Sequence, residues 1–195
     1  MLVHAVTCLL ASRHVRQVVV AAPADRLVEV PALLGPAVAA VAVVGGGASR
    51  QDSVAAAVAA LPSDVDIVLV HDAARPLVPV QVVDAVVEAL LAGAPAVIPV
   101  LPVADTLKRV DPAGLVTGTV PRSEVRAVQT PQGFHREVLA KAHAAADPLD
   151  PVTEDAGLVE RMGVPVPTVP GSGHSFKITT PFDLLVAEAI LSSRG

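Results

Sequence analysis

A chain of 195 residues, 52% of them hydrophobic, has enough apolar mass for one domain with a sizeable core. Its formal net charge of −5, with basic residues scattered singly, offers no cationic stripe to a nucleic-acid polymer, and its apolar runs break well short of the ~20 residues a spanning helix needs, so neither a polymer nor a membrane partner is expected. A single cysteine, Cys8, excludes an intramolecular disulfide; with no secretory leader expected either, the cytoplasm is the predicted compartment.

In chain order, the sequence predicts a helix over residues 2–11 and then strands at 15–22, 38–44, 65–70 and 96–100. All four strands are short, Val-rich and apolar on both alternating positions, as strands covered on both faces of a parallel sheet must be. Between them, a helix over 49–61 opens with Ser and Asp, and one over 79–91 opens with Pro and stops before Gly93. This alternation predicts an α/β fold with right-handed crossovers and a doubly wound, mostly parallel sheet flanked by helices. After Val103 the pattern changes: segments 106–110 and 115–120 flank an Asp-Pro-Ala-Gly turn and predict a β-hairpin arm. Helices at 135–146 and 155–162, a strand at 164–169 and a closing helix at 181–192 complete one domain over 1–195. Ligands of such sheets bind beyond the carboxyl ends of the strands, so the loops 45–53, 71–76 and 101–108 should share one rim.

The first of these loops, Gly45 to Ser53, joins a strand to a helix start, and two readings are open: a backbone cradle for a nucleotide, or a turn with Ser49 or Asp52 as an N-cap. In His71-Asp72-Ala73-Ala74-Arg75-Pro76 a carboxylate and a guanidinium emerge directly from an apolar strand. Asp72 suits a substrate hydroxyl or a Mg²⁺ ion on a nucleotide phosphate, and Arg75 suits a phosphate, the alternative being an internal Asp72–Arg75 ion pair. His71 reads as a hydrogen-bonded packing residue rather than a base. Thr106, Arg122, Thr130 and Lys177 add the hydroxyls and cations that a phosphorylated polyol requires, although Arg122 and Lys177 read equally as solvated surface charges. Thr153-Glu154-Asp155 reads as a helix cap with acidic first-turn residues, a structural role. Zinc-ligand spacing and a Gly-x-Ser-x-Gly elbow are both absent from the sequence, which leaves metal-hydrolase and serine-hydrolase readings without support.

The segments His71 to Pro76, Asp105-Thr106-Leu107-Lys108, Gln129-Thr130-Pro131-Gln132, Thr153-Glu154-Asp155 and Phe176-Lys177-Ile178-Thr179 stand in the order and approximate spacing found in bacterial 2-C-methyl-D-erythritol 4-phosphate cytidylyltransferases. The chain resembles that family from its first residues to its last helix. The resemblance implies a Rossmann-like nucleotidyltransferase fold and a reaction in which CTP and methylerythritol phosphate give the CDP-linked alcohol and pyrophosphate, with Mg²⁺ on the triphosphate, in non-mevalonate isoprenoid synthesis. By motif, Gly47, Ala48, Ser53, Asp72 and Arg75 fall to the nucleotide, while Asp72, Thr106, Arg122, Thr130 and Lys177 fall to the acceptor. Asp72, Arg122 and Lys177 carry the chemistry. The hairpin within 105–133 is implied to be a dimerisation arm, so a homodimer is expected, with Arg122 and Thr130 serving the neighbouring site. The family's glycine-rich phosphate loop has no counterpart in the sequence, so the domain is expected to be N-terminally incomplete and its turnover impaired. Two alternatives stay open: transfer to another polyol phosphate such as ribitol 5-phosphate, and a non-catalytic nucleotide-binding dimer.

Overall fold

The computed structural model describes residues 1–147 and 152–193; of the unit expected over 1–195, residues 148–151, 194 and 195 lie outside the described residues. Helix α1 (Leu2–Leu10) leads to strand β1 (Val18–Ala22), a short helix α2 (Glu29–Leu34) and strand β2 (Val41–Gly45). β1 and β2 pair in parallel from Val18↔Val41 to Ala22↔Gly45. Helix α3 (Arg50–Ala59) starts on Ser49, whose hydroxyl accepts the Asp52 N–H while the Asp52 carboxylate accepts the Ser49 N–H. That reciprocal box satisfies two of the free donors every helix start exposes. Of the two N-cap candidates in this loop, Ser49 is the cap.

Strand β3 (Ile67–Val70), helix α4 (Val80–Leu91) and strand β4 (Ala96–Pro102) follow. The hairpin strands β5 (Leu107–Val110) and β6 (Val116–Val120) form a separate two-stranded sheet, as their flanking of an Asp-Pro-Ala-Gly turn predicts. Strands β7 (Arg126–Val128) and β8 (Gln132–His135) come next and have no counterpart among the predicted elements. Helices α5 (Arg136–Ala144) and α6 (Asp155–Arg161), strand β9 (Thr168–Pro170) and helix α7 (Pro181–Ser192) close the chain. The last strand is shorter and later than the predicted 164–169, because only Thr168 to Pro170 pair with β4.

The larger sheet has the order β3-β8-β4-β7, with β9 also on β4. β8 and β7 run antiparallel to their neighbours and β9 runs parallel to β4. The result is an α/β architecture with parallel and mixed sheets flanked by helices. Two ion pairs orient the smaller sheet against the larger. Arg16, ahead of β1, lies 3.4 Å from Asp64, ahead of β3; Arg50, beyond the end of β2, lies 3.7 Å from Asp72, beyond the end of β3. β1, β2 and β3 therefore point the same way and end on one rim. Between β1 and β3, under α1 and α3, is an apolar cavity of about 650 Å³ whose lining reaches Arg50, Ser53, His71 and Asp72 at that rim.

The main core packs Val68, Ile98, Phe134, Leu139 and Val159 from strands and helices far apart in sequence. On the opposite side of β8, α4 comes so close that a Cβ on Gly133 would stand 2.5 Å from Val86 Cγ1 and 2.7 Å from Leu90 Cδ1. Gly133→Ala should therefore lower the unfolding free energy by ~1–3 kcal/mol through overpacking. Gly118→Ala, in β6, where nothing lies within 4 Å, should change it by less than ~0.5 kcal/mol. Urea denaturation of both variants measures the contrast, and equal effects would contradict the close approach of α4.

Candidate functional site

The rim is organised around one carboxylate. Asp72 Oδ2 lies 3.1 Å from Lys177 Nζ and 3.8 Å from Arg75 Nε, and Oδ1 lies 3.7 Å from Arg50 Nε. Its side chain is 18% exposed, while that of Lys177 is 48% exposed. Lys177 is brought in from beyond β9 by the Ile178 N–H, which donates to the Ala74 carbonyl at 2.8 Å. Three cations thus face this carboxylate, and Lys177, the most exposed of them, is open to a phosphate-bearing ligand.

Arg75 and His71 support this centre from behind. Arg75 donates to the Ser175 carbonyl at 2.7 Å and to the Val128 carbonyl at 3.4 Å, and its buried Nε has no hydrogen-bond partner among the described residues. Burial lowers its pKa from the usual value, with Asp72 opposing; an arginine remains charged at any working pH. The guanidinium thus clamps two distant backbone segments and faces Asp72 loosely.

Burial lowers the His71 pKa from 6.5 to about 4, against the opposing effects of the Arg75 carbonyl and Asp72. The ring is neutral at pH 7, and its hydrogen bonds fix the tautomer: Nε2–H donates to the Arg75 carbonyl at 3.1 Å, and Nδ1 accepts from the Thr130 hydroxyl at 2.9 Å. The same Thr130 oxygen accepts the Asp72 N–H at 3.0 Å. His71 is a packing residue, as the sequence suggests, and buried Thr130 orients the Asp72 backbone.

The Gly45 to Ser53 loop folds back on the start of α3. Gly47 N–H donates to Ser53 Oγ at 3.1 Å, and that hydroxyl donates to the Ser49 carbonyl at 2.9 Å. A Cβ on Gly47 would stand 2.1 Å from Asp52 Cβ, so only glycine fits. Gly47 and Ala48 remain exposed at the rim.

The sequence assigned no site role to Arg50, Gln132, His143, Glu154 or Asp155. Arg50, at the first position of α3, donates from Nη1 to Asp155 Oδ2 at 2.6 Å; Asp155 is fully buried, and its Oδ1 lies 2.8 Å from His143 Nε2. Burial alone would raise the Asp155 pKa, but the His143 hydrogen bond and the Arg50 guanidinium outweigh it and hold the carboxyl below its ordinary value. Buried Gln132 donates to Glu154 Oε2 and accepts the Ala156 N–H. These contacts correct the capping role expected of Thr153-Glu154-Asp155: Glu154 holds the N-cap position without a side-chain capping bond, and Asp155, the expected acidic first-turn residue, faces Arg50. One signal was available, because a cation in the first turn of a helix opposes the helix dipole and needs an anion elsewhere.

Thr106 and Arg122 are placed differently. Both are exposed at the base of the hairpin, where Arg122 Nη1 donates to the Ala104 carbonyl, and among the described residues neither bonds to Asp72 or Lys177. Asp72, Arg75, Thr130, Lys177 and the Gly47 loop thus form one group; Thr106 and Arg122 form a second. Among the described residues no three His, Cys, Asp or Glu side chains gather as metal ligands, and no helix is long and apolar enough to cross a membrane.

A family model described as 2-C-methyl-D-erythritol 4-phosphate cytidylyltransferase matches residues 1–193. Proteins of that name from Streptomyces avermitilis and Frankia casuarinae are 52% and 56% identical to the chain. These alignments span 100% of the chain and 81% of the first relative, and 98% of the chain and 70% of the second. Among solved structures, the 2-C-methyl-D-erythritol 4-phosphate cytidylyltransferase of Thermus thermophilus is similar at 43% identity with a TM-score of 0.70, over 77% of this chain and 73% of that one. The 4-diphosphocytidyl-2C-methyl-D-erythritol synthase of Anaerococcus prevotii is similar at 26% identity with a TM-score of 0.89, over 98% and 85%.

The depressed His71 pKa carries a signed consequence. Because the folded state disfavours the charged ring, the stability held in neutral His71 is complete above pH 6.5 and is lost as pH falls towards about 4, by at most about 3 kcal/mol. An NMR titration of the His71 ring should give a midpoint near 4; a midpoint near 6.5 would refute the buried neutral assignment.

Proposed function

The chain belongs to the 2-C-methyl-D-erythritol 4-phosphate cytidylyltransferase family, and from that premise we propose that the Asp72 rim is where it transfers the cytidylyl group. The reaction is CTP-dependent: the cytidylyl group passes to 2-C-methyl-D-erythritol 4-phosphate, giving 4-diphosphocytidyl-2-C-methyl-D-erythritol and pyrophosphate in non-mevalonate isoprenoid synthesis. The observation that carries the site assignment is the convergence of Lys177, Arg75 and Arg50 on one carboxylate beside a glycine loop.

The exposed Gly47-Ala48 backbone and Ser53 receive the cytidine, and Asp72 lies beside its ribose. The attacking atom is an acceptor phosphate oxygen, already anionic at neutral pH, so no strong base is needed. The residues instead align two anions and balance the charge that develops at the α-phosphorus. Lys177, half-exposed and 3.1 Å from Asp72, is the cation best placed to hold the acceptor phosphate. Arg75, engaged with two carbonyls, acts on the nucleotide through the orientation of Asp72. A Mg²⁺ ion on the triphosphate would find one carboxylate ligand here, Asp72, the rest of its coordination coming from phosphate oxygens and water, and would there neutralise phosphate charge.

Thr106 and Arg122 contact the acceptor from the arm of a second subunit. This reading is supported by their separation from Asp72 and by the arm itself, whose Leu107, Val110, Leu115 and Val116 are 37–67% exposed on an isolated two-stranded sheet. Such a ribbon is marginal alone and gains by covering its apolar face. Both substrates carry several negative charges, which favours a cytoplasmic site of action.

Lys177→Ala should lower kcat/KM for pyrophosphate release from CTP and methylerythritol phosphate by ~10²–10³-fold; an unchanged value would remove Lys177 from the centre, and faster transfer to ribitol 5-phosphate would reassign the acceptor. By light scattering the protein should run as a dimer, and a Leu115→Asp, Val116→Asp double variant as a monomer. Identical masses for the two would separate the arm from assembly.

A further inference from the structure

Arg50 stands between two carboxylates, and the distances decide which one holds it. Its Nη1 donates to Asp155 at 2.6 Å, the length of a charge-assisted hydrogen bond, whereas its Nε is 3.7 Å from Asp72 Oδ1, beyond hydrogen-bond range. Asp155 is rigidly placed: it begins α6, its side chain is 0% exposed, and His143 on α5 binds its other oxygen at 2.8 Å with 13% of its own side chain exposed. Arg50 is 36% exposed and lies at the helix end whose dipole opposes a cation, so its position comes from its carboxylate partners. Asp72 is flanked in addition by Lys177 and Arg75, the other cations within 4 Å of it among the described residues.

We propose that Asp155 is a positioning residue for the transfer centre: by holding Arg50 short of Asp72 it keeps the Asp72 carboxylate open to substrate and the Arg50 guanidinium turned towards the nucleotide phosphates. Without the Asp155 charge, Arg50 closes the 3.7 Å gap onto the nearest remaining anion, Asp72. That collapse withdraws an anion and a cation from the ligand at once. His143 acts one step further back, fixing the Asp155 carboxylate against rotation. The inference rests on the reading of the Asp72 rim as the nucleotide site.

A double-mutant cycle on CTP binding, measured calorimetrically with Mg²⁺, tests it. Asp155→Asn should weaken CTP binding about tenfold, the worth of one charged hydrogen bond. In an Arg50→Gln background, with no guanidinium left to misplace, the same change should cost less than about twofold. Equal losses in both backgrounds would assign Asp155 a merely structural role and overturn the proposal. Arg50→Lys, on a partly exposed side chain that does not threaten folding, should also weaken CTP binding about tenfold, because an ammonium lacks the guanidinium's planar fork and cannot be held by Asp155 while presenting further N–H groups to a phosphate; unchanged binding would overturn the proposal. His143→Gln, which retains a donor towards Asp155, should stay within about threefold of the parent. Lys177→Ala separates the two levels of inference: if it leaves turnover intact the site reading itself falls, whereas if it abolishes turnover while the cycle proves additive, only the positioning role falls.

Discussion

Everything at the rim depends on one buried-edge carboxylate faced by three cations, two of which are held by other acceptors. Asp72 meets Lys177, Arg75 and Arg50, and no two of these cations are supplied by the same region of the chain except through the fold. Only Lys177 comes within hydrogen-bond range; Arg75 and Arg50 are each held off by other acceptors, two backbone carbonyls in one case and Asp155 in the other. Cations held apart in this way by the scaffold are preorganised, the condition under which electrostatic catalysis is strongest.

The sheet explains why such distant residues meet. β2 and β3 end on one rim, which delivers the Gly47 loop and Asp72 together, and the β8 insertion between β3 and β4 carries Thr130 and Gln132 in behind them. The Thr130 hydroxyl then links the Asp72 backbone to a neutral His71, whose other nitrogen reaches the Arg75 carbonyl. The loop is thus fixed by neutral hydrogen bonds, and the charged groups around Asp72 are held separately. The hairpin arm stands outside this framework, with its apolar residues exposed and Arg122 resting on Ala104, and that separation motivates the second-subunit reading of Thr106 and Arg122.

Much of this was legible in the residues. The Val-rich runs announced strands, although β1 and β2 are only partly buried; Ser49 or Asp52 announced a helix cap, which Ser49 supplies; and the Asp-Pro-Ala-Gly turn announced the hairpin. β8 was not legible, because Gln132-Gly133-Phe134-His135 offers a single large apolar side chain and owes its burial to the strands on either side. The Asp72 centre could be anticipated from a carboxylate and a guanidinium leaving an apolar strand. The Asp155–Arg50 contact beside it could not, because that contact spans 105 residues of sequence and depends on α5 packing against both α3 and α6. Asp155 also sits where an acidic first-turn residue would be expected for local reasons, and the local explanation concealed the tertiary one.

A crystal structure of the protein with CTP and Mg²⁺ tests the central claim most directly. The account predicts cytidine over the Gly47–Ser53 loop beside Asp72, with the phosphates within hydrogen-bond reach of Arg50 and with Lys177 lining the space left for the acceptor phosphate. A nucleotide seated elsewhere, with those three side chains unmoved and uncontacted, would contradict it.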